Sequence, residues 1–219
     1  VEYLGTNNIY PMAKNIADDE DGVRELFNEI CKDENYNVIL ATNGLEAVQK
    51  AKEEGVVTIF ANTDSPSDED FANYDGLYLV SSRAPQSGTI MGEAAVKYWK
   101  EHPEADRNGN GKMDYIMLLG LTWHYDTQVR AEYSIKAVED AGIATNQIGG
   151  EVVAEYNRGQ AQEKVAALLA NFSDDIDIIF ACNDDMALGA IEALKAGGFF
   201  KDEASFLPVC GVDATVVGC

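Results

Sequence analysis

The sequence predicts an α/β protein made of two parallel-sheet lobes. Two observations carry this: helix-like and strand-like stretches alternate regularly, and the strands are short apolar runs without polar alternation. Runs of that kind are buried on both faces, as strands are in parallel sheets covered by helices. At 219 residues, with 46% apolar and 25% charged residues, the chain is long enough for two lobes of roughly 100 residues and is globular in composition.

Each element is read from local pattern. Val23, Leu26, Phe27 and Ile30 mark one helical face within 23–32. Val38–Ala41 is an apolar strand ending at Thr42-Asn43-Gly44, and Leu45–Glu54 a helix closed by Gly55. Strands over 56–61 and 77–80 and a helix over 88–100 follow. A polar, Gly- and Asp-rich stretch, 102–112, then interrupts the rhythm. The lobe boundary is placed there, giving an N-terminal lobe 1–110 and a C-terminal lobe 111–219. Beyond it come strands at 115–119, 152–155, 176–181 and 208–212, with helices at 128–141, 160–171 and 185–196.

The net charge of −22 argues against nucleic acid, because phosphate recognition needs a basic surface. No 18-residue apolar run exists to span a membrane, and the first residues, Val1-Glu2-Tyr3-Leu4-Gly5, lack the basic and apolar regions of a signal peptide. The four cysteines, Cys31, Cys182, Cys210 and Cys219, show no C-x-x-C spacing. Cys182 and Cys210 end apolar runs and are read as small buried residues.

Asp106-Arg107-Asn108-Gly109-Asn110-Gly111-Lys112-Met113-Asp114 places side-chain oxygens at positions 1, 3, 5 and 9, with Gly at 6. Calcium takes six to eight oxygens, and this spacing turns alternate side chains inward while Lys112 offers its backbone carbonyl. Position 12 is Met117, so the loop is no EF-hand. The alternative is a plain Asx/Gly turn.

In open parallel sheets, ligands sit beyond the carboxyl ends of the strands. The polar residues there are Asn62-Thr63-Asp64, Trp123-His124-Tyr125-Asp126, Tyr156-Asn157-Arg158, Asn183-Asp184-Asp185 and Asp213. Each has a structural alternative. Asn183-Asp184 would cap the following helix, Arg130 would be a solvated helix charge, His124 a loop histidine and Asp213 a turn residue.

From about Val56 to Ala214 the chain resembles the galactose/glucose-binding proteins of the periplasmic-binding-protein class. The resemblance rests on T-I-F-A-N-T-D-S-P, S-G-T-I-M-G-E, the calcium loop, H-Y-D-T-Q-V-R-A-E-Y, I-D-I-I-F-A-C-N-D-D-M-A-L-G-A-I-E-A-L-K and V-C-G-V-D-A. It implies an extracytoplasmic hexose binder, not an enzyme, serving transport or chemotaxis. Its partners would be a hexose, the membrane subunits of a sugar transporter and a chemoreceptor, and its mature form would be periplasmic or extracellular. Carried over position by position, the sugar ligands are Asn62, His124, Asp126, Arg130, Asn183 and Asp213, with Tyr156 at the family's stacking tryptophan. The metal ligands are Asp106, Asn108, Asn110, Lys112 and Asp114, completed by Asp177, where the family has the longer Glu.

The chemistry suits a pyranose. Asp126 and Asp213 accept from vicinal hydroxyls, Arg130 offers a rigid fork of donors, and Asn62 and Asn183 donate and accept at once. His124 and two carboxylates offer no obvious nucleophile or phosphate-binding glycine loop. The first 55 residues depart from the family pattern, and the chain ends at Cys219, soon after the strand leading to Asp213. This points to an incomplete, permuted or chimeric N-terminal lobe. Asp18–Ala47 resembles a response-regulator receiver, whose phosphoacceptor position, four residues before Pro66, is Asn62 here. The alternative function is thus a receiver-like signalling module, or a fusion of a receiver fragment with a sugar-binding-protein fragment. Another reading takes Ala13–Asp18 as a relic of the family's C-terminal helix.

Overall fold

The computed structural model describes residues 13–17, 21–33, 37–61, 67–80, 83–202 and 205–218. Asn62, Pro66 and the acidic residues Asp18, Asp19 and Glu20 lie outside them. Two compact units divide at Ser82/Arg83.

In the first unit, β1 (Ala13–Ala17) pairs in parallel with β2 (Asn37–Ala41), joined by α1 (Asp21–Asp33). Residues 13–17 are therefore a strand, not the helical relic suggested by the sequence. Five residues with only Ile16 as a large apolar side chain carry too little pattern to tell the two apart. After α2 (Gly44–Glu54) comes a second parallel pair, β3 (Thr58–Ala61) and β4 (Leu77–Val80), flanking α3 (Asp68–Asn73). Asn43 caps α2, its side chain accepting from the Glu46 N–H at 2.9 Å. Ser67 and Asp70 form a capping box on α3, which the sequence reading did not include.

The second unit opens with α4 (Ala84–Glu101), a 3-10 turn at Pro103–Ala105, and the eight-residue strand β5 (Lys112–Leu119). There follow α5 (Tyr125–Asp140), β6 (Ala144–Gln147), β7 (Val152–Val153), α6 (Arg158–Phe172), β8 (Ile178–Ala181), α7 (Asp184–Ala196) and β9 (Val209–Cys210). The sheet order is β6-β5-β8-β9, with β7 also on β5, and every pairing is parallel. Met113 to Leu118 are all buried, as is the whole of β8, so both faces of the central strands are covered. The core packs Met91 and Ala95 of α4, Val138 of α5, Val165 and Leu169 of α6 and Met186 and Leu194 of α7 with these strands.

The unit boundary falls earlier than the 110/111 division read from the sequence, because α4 belongs with α5. A Cβ on Gly88 would stand 2.7 Å from the Arg130 carbonyl, and one on Gly92 2.2 Å from that of Ser134, so the two helix backbones nearly touch. Gly189 does the same for α7 against the Arg158 carbonyl of α6, at 2.2 Å. Among the described residues no helix is long and apolar enough to cross a membrane.

Candidate ligand site at the carboxyl ends of the strands

β5 ends at Leu119, and the turn after it delivers His124, Asp126 and Arg130 onto the first two turns of α5. Positions 126 and 130 are one helical turn apart, so their side chains meet. Arg130 Nη2 donates to Asp126 Oδ2 at 2.9 Å. Its Nη1 donates to the Cys182 carbonyl at 2.7 Å, at the end of β8, and stands 3.5 Å from Asp213 Oδ1, beyond β9. One guanidinium thus ties together the ends of three neighbouring strands. Arg130 is 7% exposed, which removes the reading of it as a solvated helix charge.

Tyr156 comes from the loop after β7. It and Glu155 have φ of 59° and 52°, left-handed values that cost a non-glycine residue some strain. Tyr156 is held there by a 2.6 Å hydrogen bond between its hydroxyl and Thr127 Oγ1. Its ring lies on Gly120, where an added Cβ would come within 2.1 Å of it. The His124 ring meets it edge-on at 6.1 Å between centroids. Asn183 Oδ1 accepts from the Met186 N–H at 3.0 Å, so Asn183 is indeed the cap of α7. That bond uses the carbonyl oxygen of its amide, whose NH2 group carries two donors.

His124, Asp126, Arg130, Tyr156, Asn183 and Asp213 therefore all lie at strand ends of one unit, and Arg130 binds Asp126 and Asp213 directly. Asn62 lies outside the described residues. The sequence reading missed Thr127, the Cys182 carbonyl and Gly120. Only Gly120, a glycine directly after a strand, left a readable signal.

The site is a charged, hydrogen-bonding cluster in which Arg130 is buried and Asp213 is exposed. Burial raises the Asp213 carboxyl above its ordinary value, with the Arg130 guanidinium opposing it. Burial also raises the Tyr156 phenol and pushes the Cys182 thiol up to about 11, so Cys182 is an inert core residue. Cys210 is likewise held up at about 11 by burial. Two buried nitrogens here, Arg130 Nε and His124 Nδ1, have no hydrogen-bond partner.

At the opposite ends of β5 and β8 lies the Asp106–Asp114 loop. Asp106 accepts from the N–H groups of Asn110 at 3.1 Å and Gly111 at 2.9 Å. Asn110 Oδ1 accepts from the Lys112 N–H at 2.7 Å, and Gly111 takes φ 76°, the conformation for which glycine is needed. Asp177, just before β8, accepts from the N–H of Arg107 at 2.9 Å and of Asp114 at 2.8 Å, stapling the loop to the sheet.

The donor set is all oxygen, as calcium prefers, and two of its carboxylates, Asp114 and Asp177, are 1% and 2% exposed. Burial, with the charges of Asp114 and Asp106 adding to it, pushes the Asp177 carboxyl up to about 6 despite the two amides. A cation would relieve that repulsion. The side chains are, however, turned toward one another. Asn108 Nδ2 and Asn110 Nδ2 donate to Asp114 Oδ2 at 3.0 and 2.6 Å, and Asn146 Nδ2 to its Oδ1. Among the described residues no three His, Cys, Asp or Glu side chains converge as a metal cage. Holding calcium requires both asparagine amides to present oxygen where nitrogen now stands, a half-turn about one bond.

Residues 22–219 match the family model described as periplasmic binding protein domain. This range includes most of the segment that resembles a receiver. The D-galactose/methyl-galactoside binding periplasmic protein of Haemophilus influenzae is 36% identical over 168 residues, covering 76% of this chain and 48% of that protein. The chain thus spans about half the length, or less, of the curated relatives it matches. Among solved structures, a solute-binding protein of Bacillus halodurans with bound myo-inositol aligns with TM-score 0.67 and 18% identity, over 97% of this chain and 79% of the other. One from Actinobacillus succinogenes with bound D-allose aligns with TM-score 0.63 and 17% identity, over 95% and 80%. At those identities the likeness is one of fold.

Proposed function

This chain belongs to the periplasmic binding protein family, and from that premise we propose that it binds a hexose, galactose or glucose, outside the cytoplasm on behalf of a sugar transporter. The observation that carries the reading is the strand-end cluster in which Arg130 donates to Asp126 at 2.9 Å and stands 3.5 Å from Asp213. A pyranose offers vicinal hydroxyls that donate to the two carboxylates and accept from the guanidinium, and each hydroxyl does both. The galactoside-binding name of the 36% identical relative supports galactose within the hexoses.

In this reading Asp126 and Asp213, fixed by Arg130, accept from vicinal hydroxyls. Asn183 donates through its NH2, and the Tyr156 ring covers an apolar sugar face. Calcium occupies the Asp106–Asp114 loop with Asn108, Asn110, the Lys112 carbonyl and Asp177, and its role is structural. The membrane subunits of the transporter, and a chemoreceptor, are the protein partners.

Titration calorimetry with galactose, glucose, allose and myo-inositol tests the ligand. Saturable binding of galactose or glucose, tighter than of the other two, is expected. Heats indistinguishable from dilution with all four at millimolar concentration would end the hexose reading. Melting with and without calcium tests the metal: a bound ion adds about 2.7 kcal/mol to the unfolding free energy at a hundredfold excess over its dissociation constant and so raises the transition temperature. A transition indifferent to millimolar calcium would remove calcium from the proposal.

A further inference from the structure

Beyond β9 the chain makes a tight excursion around a single carboxylate that the sugar reading does not use. Asp184, the first residue of α7, is 6% exposed. Its Oδ2 accepts from the Thr215 N–H at 2.7 Å and from Thr215 Oγ1 at 3.0 Å. Thr215 Oγ1 in turn accepts from the Gly218 N–H at 3.1 Å. Two glycines leave room for this carboxylate. A Cβ on Gly211 would stand 2.6 Å from Asp184 Oδ1, and one on Gly218 2.3 Å from Oδ2. Neither glycine has a positive φ, so absence of a side chain, not backbone freedom, is what these positions require.

Between the two glycines sit Asp213 and Ala214, with φ of 111° and 51°. Such conformations persist in non-glycine residues only where their surroundings over-determine them. Arg130 holds the Asp213 side chain from one side, at 3.5 Å, and the Asp184–Thr215 bonds hold the backbone two residues on.

We infer that Asp184 is a positioning residue for the ligand site: by clamping Thr215 it fixes the strained Asp213–Ala214 turn and aims the Asp213 carboxylate at the ligand. This rests on the hexose reading above. Asp184 touches no ligand in this arrangement and acts through Asp213. Helix α7 thereby serves the site twice, through Asn183 at its cap and through Asp184 behind the neighbouring loop.

The test is hexose affinity by calorimetry on the full chain, with urea unfolding measured in parallel. Asp184→Ala should weaken galactose or glucose binding about tenfold or more, because the Thr215 N–H and hydroxyl lose their acceptor. Asp184→Asn keeps one accepting oxygen and should bind within about threefold of the unaltered chain. Thr215→Val keeps the N–H and loses the hydroxyl, and should fall between the two. It serves as the second variant should Asp184→Ala not fold. A purely structural role would lower stability in every background. A positioning role should vanish when its target is gone, so Asp184→Ala added to Asp213→Ala should change affinity by less than about twofold. Unchanged affinity in Asp184→Ala, or an undiminished loss in the Asp213→Ala background, would overturn the inference while leaving the hexose reading intact. Failure of the unaltered chain to bind either sugar would overturn both.

Discussion

Replacing Asp177 by asparagine separates the charge at the root of β8 from the hydrogen bonds it makes. As a carboxylate it accepts from two backbone N–H groups and is 2% exposed. Burial, first among the causes, pushes its pKa from 3.8 to about 6. The folded chain therefore holds this proton more tightly than the unfolded chain. The associated stability is present in full below about pH 4 and is lost as the pH rises through about 6. A shift of about two units is worth at most about 3 kcal/mol. In Asp177→Asn that slope disappears. The amide can accept from only one of the two N–H groups, and stranding the other costs about 1–3 kcal/mol at every pH. Urea unfolding in chelator at about pH 4 and pH 7 should find the variant clearly weaker in acid and nearly level with the unaltered chain at neutrality. Carboxylates outside this loop titrate alike in both proteins, so the difference between them reports on position 177 together with the loop charges it repels. Parallel pH dependences in the two chains would refute the reasoning.

Three further outcomes follow from distances at the ligand site and the helix pair. Arg130→Ala or Asp126→Asn should weaken hexose binding by about 2 kcal/mol or more, read by calorimetry, because each strands a buried partner. Gly120→Ala would drive a methyl group to within 2.1 Å of the Tyr156 ring. It should lower affinity roughly tenfold and alter the near-ultraviolet circular dichroism, since the ring must leave its seat. Gly92→Ala should cost about 1–3 kcal/mol in urea unfolding, because a Cβ 2.2 Å from the Ser134 carbonyl forces α4 and α5 apart.

The strongly apolar strands of the second unit were legible because burial on both faces writes itself as an unbroken apolar run, as in Ile178-Ile179-Phe180-Ala181. The polar strand β6, Ala144-Thr145-Asn146-Gln147, was not. It lies at the sheet edge, largely exposed, and its pairing with β5 is a matter of backbone. The strand read at 152–155 is shorter, ending at Val153, because the chain turns into left-handed conformations at Glu155 and Tyr156. Positions such as Arg130 and Asp213 could be named because motif strings mark them. The Cys182 carbonyl could not, since a backbone oxygen carries no residue identity. The hold of Asp184 on Thr215 joins residues far apart in the chain, and only folding reveals it.

β5 and β8 each carry acidic-loop residues at one end and strand-end site residues at the other. Asp114 and Leu119 are separated along β5 by about 16 Å of extended backbone. Through a protein interior of effective dielectric about 20, two unit charges at that span interact by about 1 kcal/mol, but a hexose carries no net charge for a cation to act on. An occupant of one end cannot pull noticeably on an occupant of the other through the field, and two stiff central strands leave little room for a shape change to pass along. The arrangement predicts thermodynamic independence: calcium and hexose should each add their own increment to the unfolding free energy, and the two increments should sum without a cross term.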